Sequence, residues 1–272
     1  MASYTSEAVL LRTWPVQEAD LVVSLFTRDY GHIRLVAKSA LKSRKRFGGA
    51  LEPMTLARAF FVERPRQELG RLDQLEIISS PLSAPIDPLR LSVLSFYAEL
   101  LDEALPDHDP QETVFRLVAT VLEQTTVQQP WMPLTYFQLW MTRLMGLLPD
   151  LVHCTACGEA LHAADEALRA ADEKQHAAKE LRGADRQSTS AFFNPHSDGL
   201  FCSIHRGADA STLSADSWLL AQRMLRAPVS VFVGEPFPRR RAQDLRRFTL
   251  QSLERHLERR LRSAEALARL GG

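Results

Sequence analysis

DLVVSLFTRDYGHIRLVAK, residues 20–38, holds two short runs rich in β-branched and aromatic residues, joined by Arg28-Asp29-Tyr30-Gly31. The runs read as strands and the join as a tight hairpin turn, with Gly31 free to take a positive φ. Working outward, AVLLRT (8–13), LARAFFVER (56–64) and LDQLEIIS (72–79) have the same character and are separated by turn chemistry. Five strands in about eighty residues, with no intervening helix, suit a small closed barrel such as an OB-fold. An SH3-like barrel would produce a similar pattern.

After Pro81, Pro85 and Pro88 the period changes. Leu89, Val93, Phe96, Leu100 and Ala104 recur at helical spacing and stop before Pro106. Asp109-Pro110 offers an N-cap and an N1 proline for a second helix to about Gln124, and a third is expected over Leu134–Leu148. Two more are expected, around Ser217–Leu225 and over about Arg240–Leu270. In the last, Leu250, Leu253, Leu257, Leu261 and Ala264 form an apolar stripe. Between them, residues 159–191 are alanine-rich and charged, with little to bury, and carry no assigned function. The expected division is a barrel over 1–80, helices over 81–150, a cysteine module with its insertion over 151–208, and helices again over 209–272.

Lysine plus arginine and aspartate plus glutamate each number 33, so the chain is neutral overall. The distribution is uneven: residues 52–112 are acid-rich and the segment from Trp218 onward is arginine-rich, which suggests separate faces for separate partners. The N-terminus lacks the basic start and long apolar run of a secretory signal. The most apolar stretch, Met132–Val152, is interrupted by Thr135, Gln138, Arg143 and Pro149, which argues against a membrane span. A cytoplasmic location is expected.

One segment departs from neutrality. GHIRLVAKSALKSRKRFGGALEP, residues 31–53, carries Arg34, Lys38, Lys42, Arg44, Lys45 and Arg46 with no acid before Glu52. On a barrel the last five would stand together on the loop leaving the third strand. Mobile cations there suit phosphates, whose spacing varies, and they gain counterion release without fixed geometry. Phe47 is the only aromatic in the block, which favours sequence-tolerant backbone binding over the base reading of RNA readers.

Three cysteines cannot all pair within one chain, and two lie at CxxC spacing, so a reducing compartment and a metal or thiol role are expected. Cys154 and Cys157 make one half of a tetrahedral zinc site. Cys202 and His205, with the same two-residue gap, complete it as a three-cysteine, one-histidine set. His153 is a spare ligand. The 44 residues between Cys157 and Cys202 exceed the usual separation of about 15 to 20. Tripling a flexible loop adds only about 1 kcal/mol of closure entropy, against about 10 kcal/mol from a structural zinc. No GxSxG, P-loop or GxGxxG is present, and no His-x-Glu precedes Cys154 as a zinc deaminase requires. The expectation is a binding protein rather than an enzyme.

The ordered set Glu18-Ala19-Asp20, Leu25-Phe26-Thr27, Gly31, Val36-Ala37-Lys38, Arg46-Phe47-Gly48-Gly49 and Leu51-Glu52-Pro53 resembles the bacterial RecO family of recombination mediators. The likeness continues through the cysteine knuckle to the segment Arg247–Ser263, omitting the alanine-rich insertion. It implies an α+β multidomain chain: an N-terminal five-stranded OB-fold barrel, a helical bundle and an inserted zinc-ribbon-like module. It also implies DNA repair and recombination in the RecF pathway, with binding of single- and double-stranded DNA, strand annealing, nucleoid association and a complex with RecR. Contact with the C-terminal tail of single-stranded DNA-binding protein, and recombinase loading, are implied as well. Histidine at the fourth ligand position and the long insertion depart from the family pattern. Arg239, Arg240, Arg241, Arg246 and Arg247, beside the apolar stripe, are the expected receivers of an acidic tail ending in an apolar residue. An RNA-binding OB protein of translation or RNA processing is the alternative that the barrel and basic loop alone permit.

Overall fold

The structure, a computed structural model, describes residues 3–16, 18–62, 69–83, 85, 87–127, 129–161 and 191–270. The alanine-rich insertion lies outside the described residues from 162 to 190. Its contacts divide the chain into two compact units, Met1–Phe137 with Leu257–Gly272, and Gln138–His256.

The first unit holds β1 (Ser3–Pro15), β2 (Leu21–Thr27), β3 (Gly31–Ala37), β4 (Leu56–Val62) and β5 (Gly70–Ser79). They close as β1-β2-β3-β5-β4, with β1 antiparallel to both β2 and β4 and with β3 parallel to β5. This is the OB-fold order, which decides between the two barrels the sequence permitted. β1 serves two neighbours because a register shift between Leu10 and Arg12 bends it. Alternation then sorts the side chains: Leu21, Val23 and Leu25 of β2 and Ile33, Leu35 and Ala37 of β3 point into the core. Gly31 does adopt a positive φ, 69°. A Cβ there would meet the Asp109 carbonyl oxygen at 2.4 Å, so glycine is also required by close packing.

α1 (Pro88–Ala104) starts where Asp87 Oδ1 accepts the Arg90 amide at 2.7 Å, with Pro88 at the first turn. It packs on β1 and β2. α2 (Glu112–Val127) begins later than Asp109-Pro110 suggested, because that stretch is engaged elsewhere. Asp107 bridges to His32, and the His108 amide donates to the His32 carbonyl at 2.9 Å, tying the segment to the β2–β3 hairpin. α3 spans Trp131–Leu144, and the division between the units falls within it.

The second unit contains the cysteine knuckles and the two-stranded β6 (Ala191–Phe193) and β7 (Ser211–Leu213). It also contains α4 (Ala215–Arg226) and α5 (Gln243–His256). The Trp218 indole N–H donates to the Leu151 carbonyl at 2.7 Å, fixing the knuckle segment to α4. Asp244 Oδ2 accepts the Ser214 amide at 2.7 Å and its other oxygen accepts the Ser217 hydroxyl, joining α5 to the start of α4.

The expected long C-terminal helix is two helices. After α5 the chain breaks, Glu258 takes a φ of 54°, and α6 (Arg262–Arg269) belongs to the first unit. The cause lies far away in sequence. Glu99 of α1 accepts the Arg262 amide at 3.0 Å and the Ser263 amide at 2.8 Å, and also the Ser263 hydroxyl. A carboxylate from another helix thus satisfies the opening N–H groups of α6, which has no side-chain cap of its own.

Burial alone would raise the Glu99 pKa, but the bonds from Ser263 and Arg262 outweigh it and hold the group below the usual carboxylate range. Its contribution is therefore complete above the unfolded pKa and is lost as pH falls through the folded one. Glu99→Gln is expected to lower stability by about 1 kcal/mol at neutral pH. The deficit relative to wild type should shrink on acidification, as followed by urea unfolding at several pH values. An equal deficit at all pH values would count against the cap.

Candidate functional site

The chain between β3 and β4 is a folded lobe. Ser39 adopts a left-handed φ of 53°, Ala40–Lys42 form a single 3-10 turn, and Ala40, Phe47 and Ala50 enter the barrel core. Phe47 is 1% exposed, so the aromatic of the basic block is a core residue and offers no stacking face. Asp20, itself buried, grips the base of the lobe. Its Oδ2 meets Lys38 Nζ at 2.7 Å and its Oδ1 accepts the Ser39 amide at 2.7 Å. These contacts, the Lys38 bond first, hold its carboxyl below the usual range.

The six cations expected to bind DNA fall into two groups. Arg34 pairs with Asp107 at 3.2 Å, and Lys38 with Asp20. Arg46 bends back, donating to Ser43 Oγ at 3.0 Å and the Lys38 carbonyl at 2.6 Å, with its guanidinium 4.9 Å from the Phe47 ring centroid. Lys42, Arg44 and Lys45 are exposed and make no ion pair among the described residues. The lobe brings these three together on a scaffold anchored from within. The loop expected to leave the third strand is thus folded back onto the barrel through Ala40, Phe47 and Ala50.

In the second unit, the donor atoms of Cys154, Cys157, Cys202 and His205 lie within 4.8 Å of one another. Cys157 and Cys202 Sγ are 4.0 Å apart, and His205 Nδ1 is 3.2 Å from Cys202 Sγ. The Cys202 amide points at Cys154 Sγ at 3.4 Å. Burial raises the Cys154 pKa, but the amides of Cys202, Cys157 and Ala156 outweigh it and favour the thiolate. Three sulfurs and one imidazole converging at this range fit a tetrahedral metal ion. His153, the spare candidate, instead pairs with Asp150 at 2.7 Å through Nδ1.

The C-terminal arginines are divided as the lobe cations are. Arg246 is buried, donating to the Arg241 carbonyl at 2.9 Å and to the Arg239 carbonyl, and burial lowers its pKa to about 10. Arg241 stacks on Phe237 and pairs with Glu235 at 2.7 Å, while Glu235 also meets Arg223 at 2.8 Å. Arg240 and Arg247 are exposed. Val231 and Val233, also exposed, were not marked in the sequence.

Sequence reasoning missed the buried cluster that ties barrel to helix. His32 Nε2 lies 2.7 Å from Ser24 Oγ, which donates to Asp102 Oδ1 at 2.5 Å. Since the hydroxyl has one proton and gives it to Asp102, His32 Nε2 is the donor to Ser24. His32 Nδ1 sits 3.0 Å from Asp107 Oδ1 but off the hydrogen-bonding line. Only the pairing of β2 with β3 brings Ser24 opposite the segment that α1 covers, and no local motif announces it.

The chain matches the sequence profile described as Recombination protein O N terminal over residues 1–81, and that described as Recombination protein O C terminal over 86–265. It is 47% identical over 265 residues to the DNA repair protein RecO of Koribacter versatilis (strain Ellin345), covering 97% of this chain and 98% of that one. The DNA repair protein RecO of Anaeromyxobacter sp. (strain K) is 36% identical over 151 residues, 55% of this chain and 59% of the relative. For that of Geobacter metallireducens (strain ATCC 53774 / DSM 7210 / GS-15) the figures are 33% over 165 residues, 60% and 66%.

The two cysteine pairs meet through Gly199, where φ is +112° and a Cβ would fall 2.1 Å from Thr155 Oγ1. Gly146 also has a positive φ, +73°, but a Cβ there meets nothing within 4 Å. Gly199→Ala is therefore expected to cost about 2 kcal/mol or more, and Gly146→Ala about 1. Equal shifts in thermal unfolding would show that the knuckles do not depend on this close approach.

Proposed function

This chain belongs to the recombination protein O family, whose members act in DNA repair and recombination, and from that premise we propose that it works by binding DNA without sequence preference and annealing strands. The observation that carries this reading is the trio Lys42, Arg44 and Lys45, unpaired among the described residues and held at one rim by a lobe whose core is Ala40, Phe47 and Ala50. Phosphates of either single or double strands satisfy such cations, and neutralising them releases counterions. Arg34, Lys38 and Arg46 lie alongside and support the site, Arg46 chiefly by bracing the lobe.

The family relationship supports the finer roles: a complex with RecR, loading of recombinase onto protein-coated single strands, and nucleoid association. For the acidic C-terminal tail of single-stranded DNA-binding protein, the supporting surface is Arg240 and Arg247 with the exposed Val231 and Val233. No helix among the described residues is long and apolar enough to cross a membrane. The proposed ion at Cys154, Cys157, Cys202 and His205 is zinc, because three thiolates and an imidazole at tetrahedral range match its preferences. Its role would be structural: it would join two segments that the insertion separates.

If each of the three free cations neutralises one phosphate, affinity for single strands should fall with salt at a log–log slope of roughly −2. Replacing Lys42, Arg44 and Lys45 with alanine should flatten that slope and slow annealing, while the melting temperature stays unchanged because none of the three enters the core. A triple variant retaining both affinity and slope would remove the lobe from the reading. Equal-length DNA and RNA competitors distinguish a recombination protein from an RNA binder.

For the metal, elemental analysis should give about one zinc per chain, and chelation or Cys157→Ser should lower the melting temperature markedly. Metal-free protein that melts identically with and without chelator would exclude the ion.

A further inference from the structure

Five of the 33 lysine and arginine residues in this chain are lysine. Three of the five, Lys38, Lys42 and Lys45, fall within eight consecutive positions at the lobe. The other two, Lys174 and Lys179, lie outside the described residues, so the lobe holds every lysine that the structure describes. Contact with phosphate does not explain the choice. The planar guanidinium meets phosphate at least as well, and arginine fills every other described position of the two types. What lysine adds is an amine that can be acylated, and acylation deletes its charge.

The three lysines stand in different surroundings. Lys38 Nζ is engaged by Asp20 Oδ2 at 2.7 Å, and the same carboxylate accepts the Ser39 amide. An ion-paired nitrogen must leave its partner before it attacks, and a carboxylate at that range repels an anionic reagent. Lys42 closes the single 3-10 turn, where its amide donates to the Ser39 carbonyl at 3.2 Å. Lys45 lies in the next turn, which the Phe47 amide closes on the Ser43 carbonyl at 3.2 Å. Both side chains are exposed, and neither makes an ion pair among the described residues. Arg44, exposed and likewise without an ion pair among them, stands between the two in the chain. Arg46 is turned away to Ser43 Oγ and the Lys38 carbonyl. Two free amines therefore flank one free guanidinium along a backbone that Phe47 anchors in the core.

We propose that Lys42 and Lys45 are acylation sites for an acyl phosphate, whose phosphate Arg44 holds while a neighbouring amine takes the acyl group. In the reaction the lysine ammonium gives one proton to water, and its nitrogen lone pair forms a bond to the acyl carbon. The acyl C–O bond breaks, and phosphate leaves with that electron pair and takes up the nitrogen's second proton. A neutral amide with a single N–H remains. The guanidinium fork suits this donor because the phosphate is the leaving group, directly beside the carbon under attack. In a thioester such as an acyl-coenzyme A the leaving atom is sulfur, and the phosphates lie remote from it. Each transfer deletes one cation of the trio, so two transfers leave Arg44 alone and switch the lobe off. The inference rests on the DNA-binding reading for that consequence, and on the lobe alone for its chemistry.

The test incubates the full-length protein with acetyl phosphate and reads each lysine by peptide mass spectrometry. Lys42 and Lys45 should react first, and Lys38 about fivefold more slowly. Lys174 and Lys179, beside Asp172, Glu173 and Glu180 in the sequence, are the internal comparison and should also lag. Arg44→Gln should slow acetylation of Lys42 and Lys45 about threefold with acetyl phosphate. It should not slow their reaction with acetic anhydride, a neutral donor that offers the guanidinium no phosphate. Acetylated protein should bind a labelled oligothymidylate with a log–log salt slope of roughly −0.7, against roughly −2 before treatment. A Lys42→Arg, Lys45→Arg double variant, compared with its own untreated sample, should keep its slope. Uniform acetylation of the five lysines would overturn the site. So would Lys38 reacting first, or equal rates in Arg44→Gln and wild type with acetyl phosphate. Selective acetylation that leaves the slope intact overturns the switch if the triple alanine variant loses its slope. If that variant keeps its slope as well, the DNA-binding reading falls and the acylation site stands.

Discussion

The burial of Phe47, together with Ala40 and Ala50, is the constraint from which the architecture of the cation-bearing lobe follows. These residues come from the connection between β3 and β4. Putting one phenylalanine out of water there stabilises by about 2–3 kcal/mol, enough to draw a cation-rich segment onto the barrel against its own charge repulsion. Backbone bonds complete the attachment: the Leu75 amide of β5 donates to the Arg46 carbonyl at 2.9 Å, and the Met54 amide to the Leu10 carbonyl at 2.7 Å. With the apolar residues inside, Lys42, Arg44 and Lys45 have nowhere to go but outward. Charge at the rim is thus a consequence of how the barrel fills its core.

Positive charge in this protein serves two purposes, and environment decides which. Arg46 and Arg246 both donate to backbone carbonyls of short segments that are rich in other cations. Each satisfies acceptors that helices and strands leave open, and each shapes the loop that presents its neighbours. Lys38 and Arg34 are neutralised by Asp20 and Asp107, which belong to the same scaffold. Only after these internal uses are subtracted do free cations remain. Neutral total charge and a locally positive rim are therefore compatible.

Much of this was legible in the sequence because it is local. The five strands, the Gly31 turn and the two cysteine pairs are set by alternation, φ preference and spacing, all of which operate over a few residues. The failures are all long-range. The second helix starts late because residues 107–109 are engaged by a hairpin some 75 positions earlier in the chain, as the His32–Asp107 bridge shows. The apolar stripe of the last helix continues across a break because Glu99, 163 residues from Arg262, supplies a cap that favours a fresh start. Phe47 looked like a surface aromatic because nothing nearby says that its loop folds back. Trp14 drew no notice, since Val22 comes to face it only through strand register.

Asp102 shows how covering one part of a surface defines another. Its carboxylate, mostly buried, accepts from Ser24, lies 3.2 Å from His32 Nε2 and faces Arg12 at 4.0 Å. Burial would raise its pKa, but the adjacent His32 ring N–H and the bond from Ser24 prevail and keep it low, so it stays ionised where a charge would otherwise be costly. The same group therefore seats α1 on the barrel through His32 and Ser24, and orients Arg12 beside Trp14. Helix docking and the arrangement of the barrel's outer face are coupled through one side chain. A shift of α1 that broke the buried contacts would also release the guanidinium that positions the indole. The polar cluster under the helix and the cation–ring contact beside it are in this sense two sides of a single arrangement.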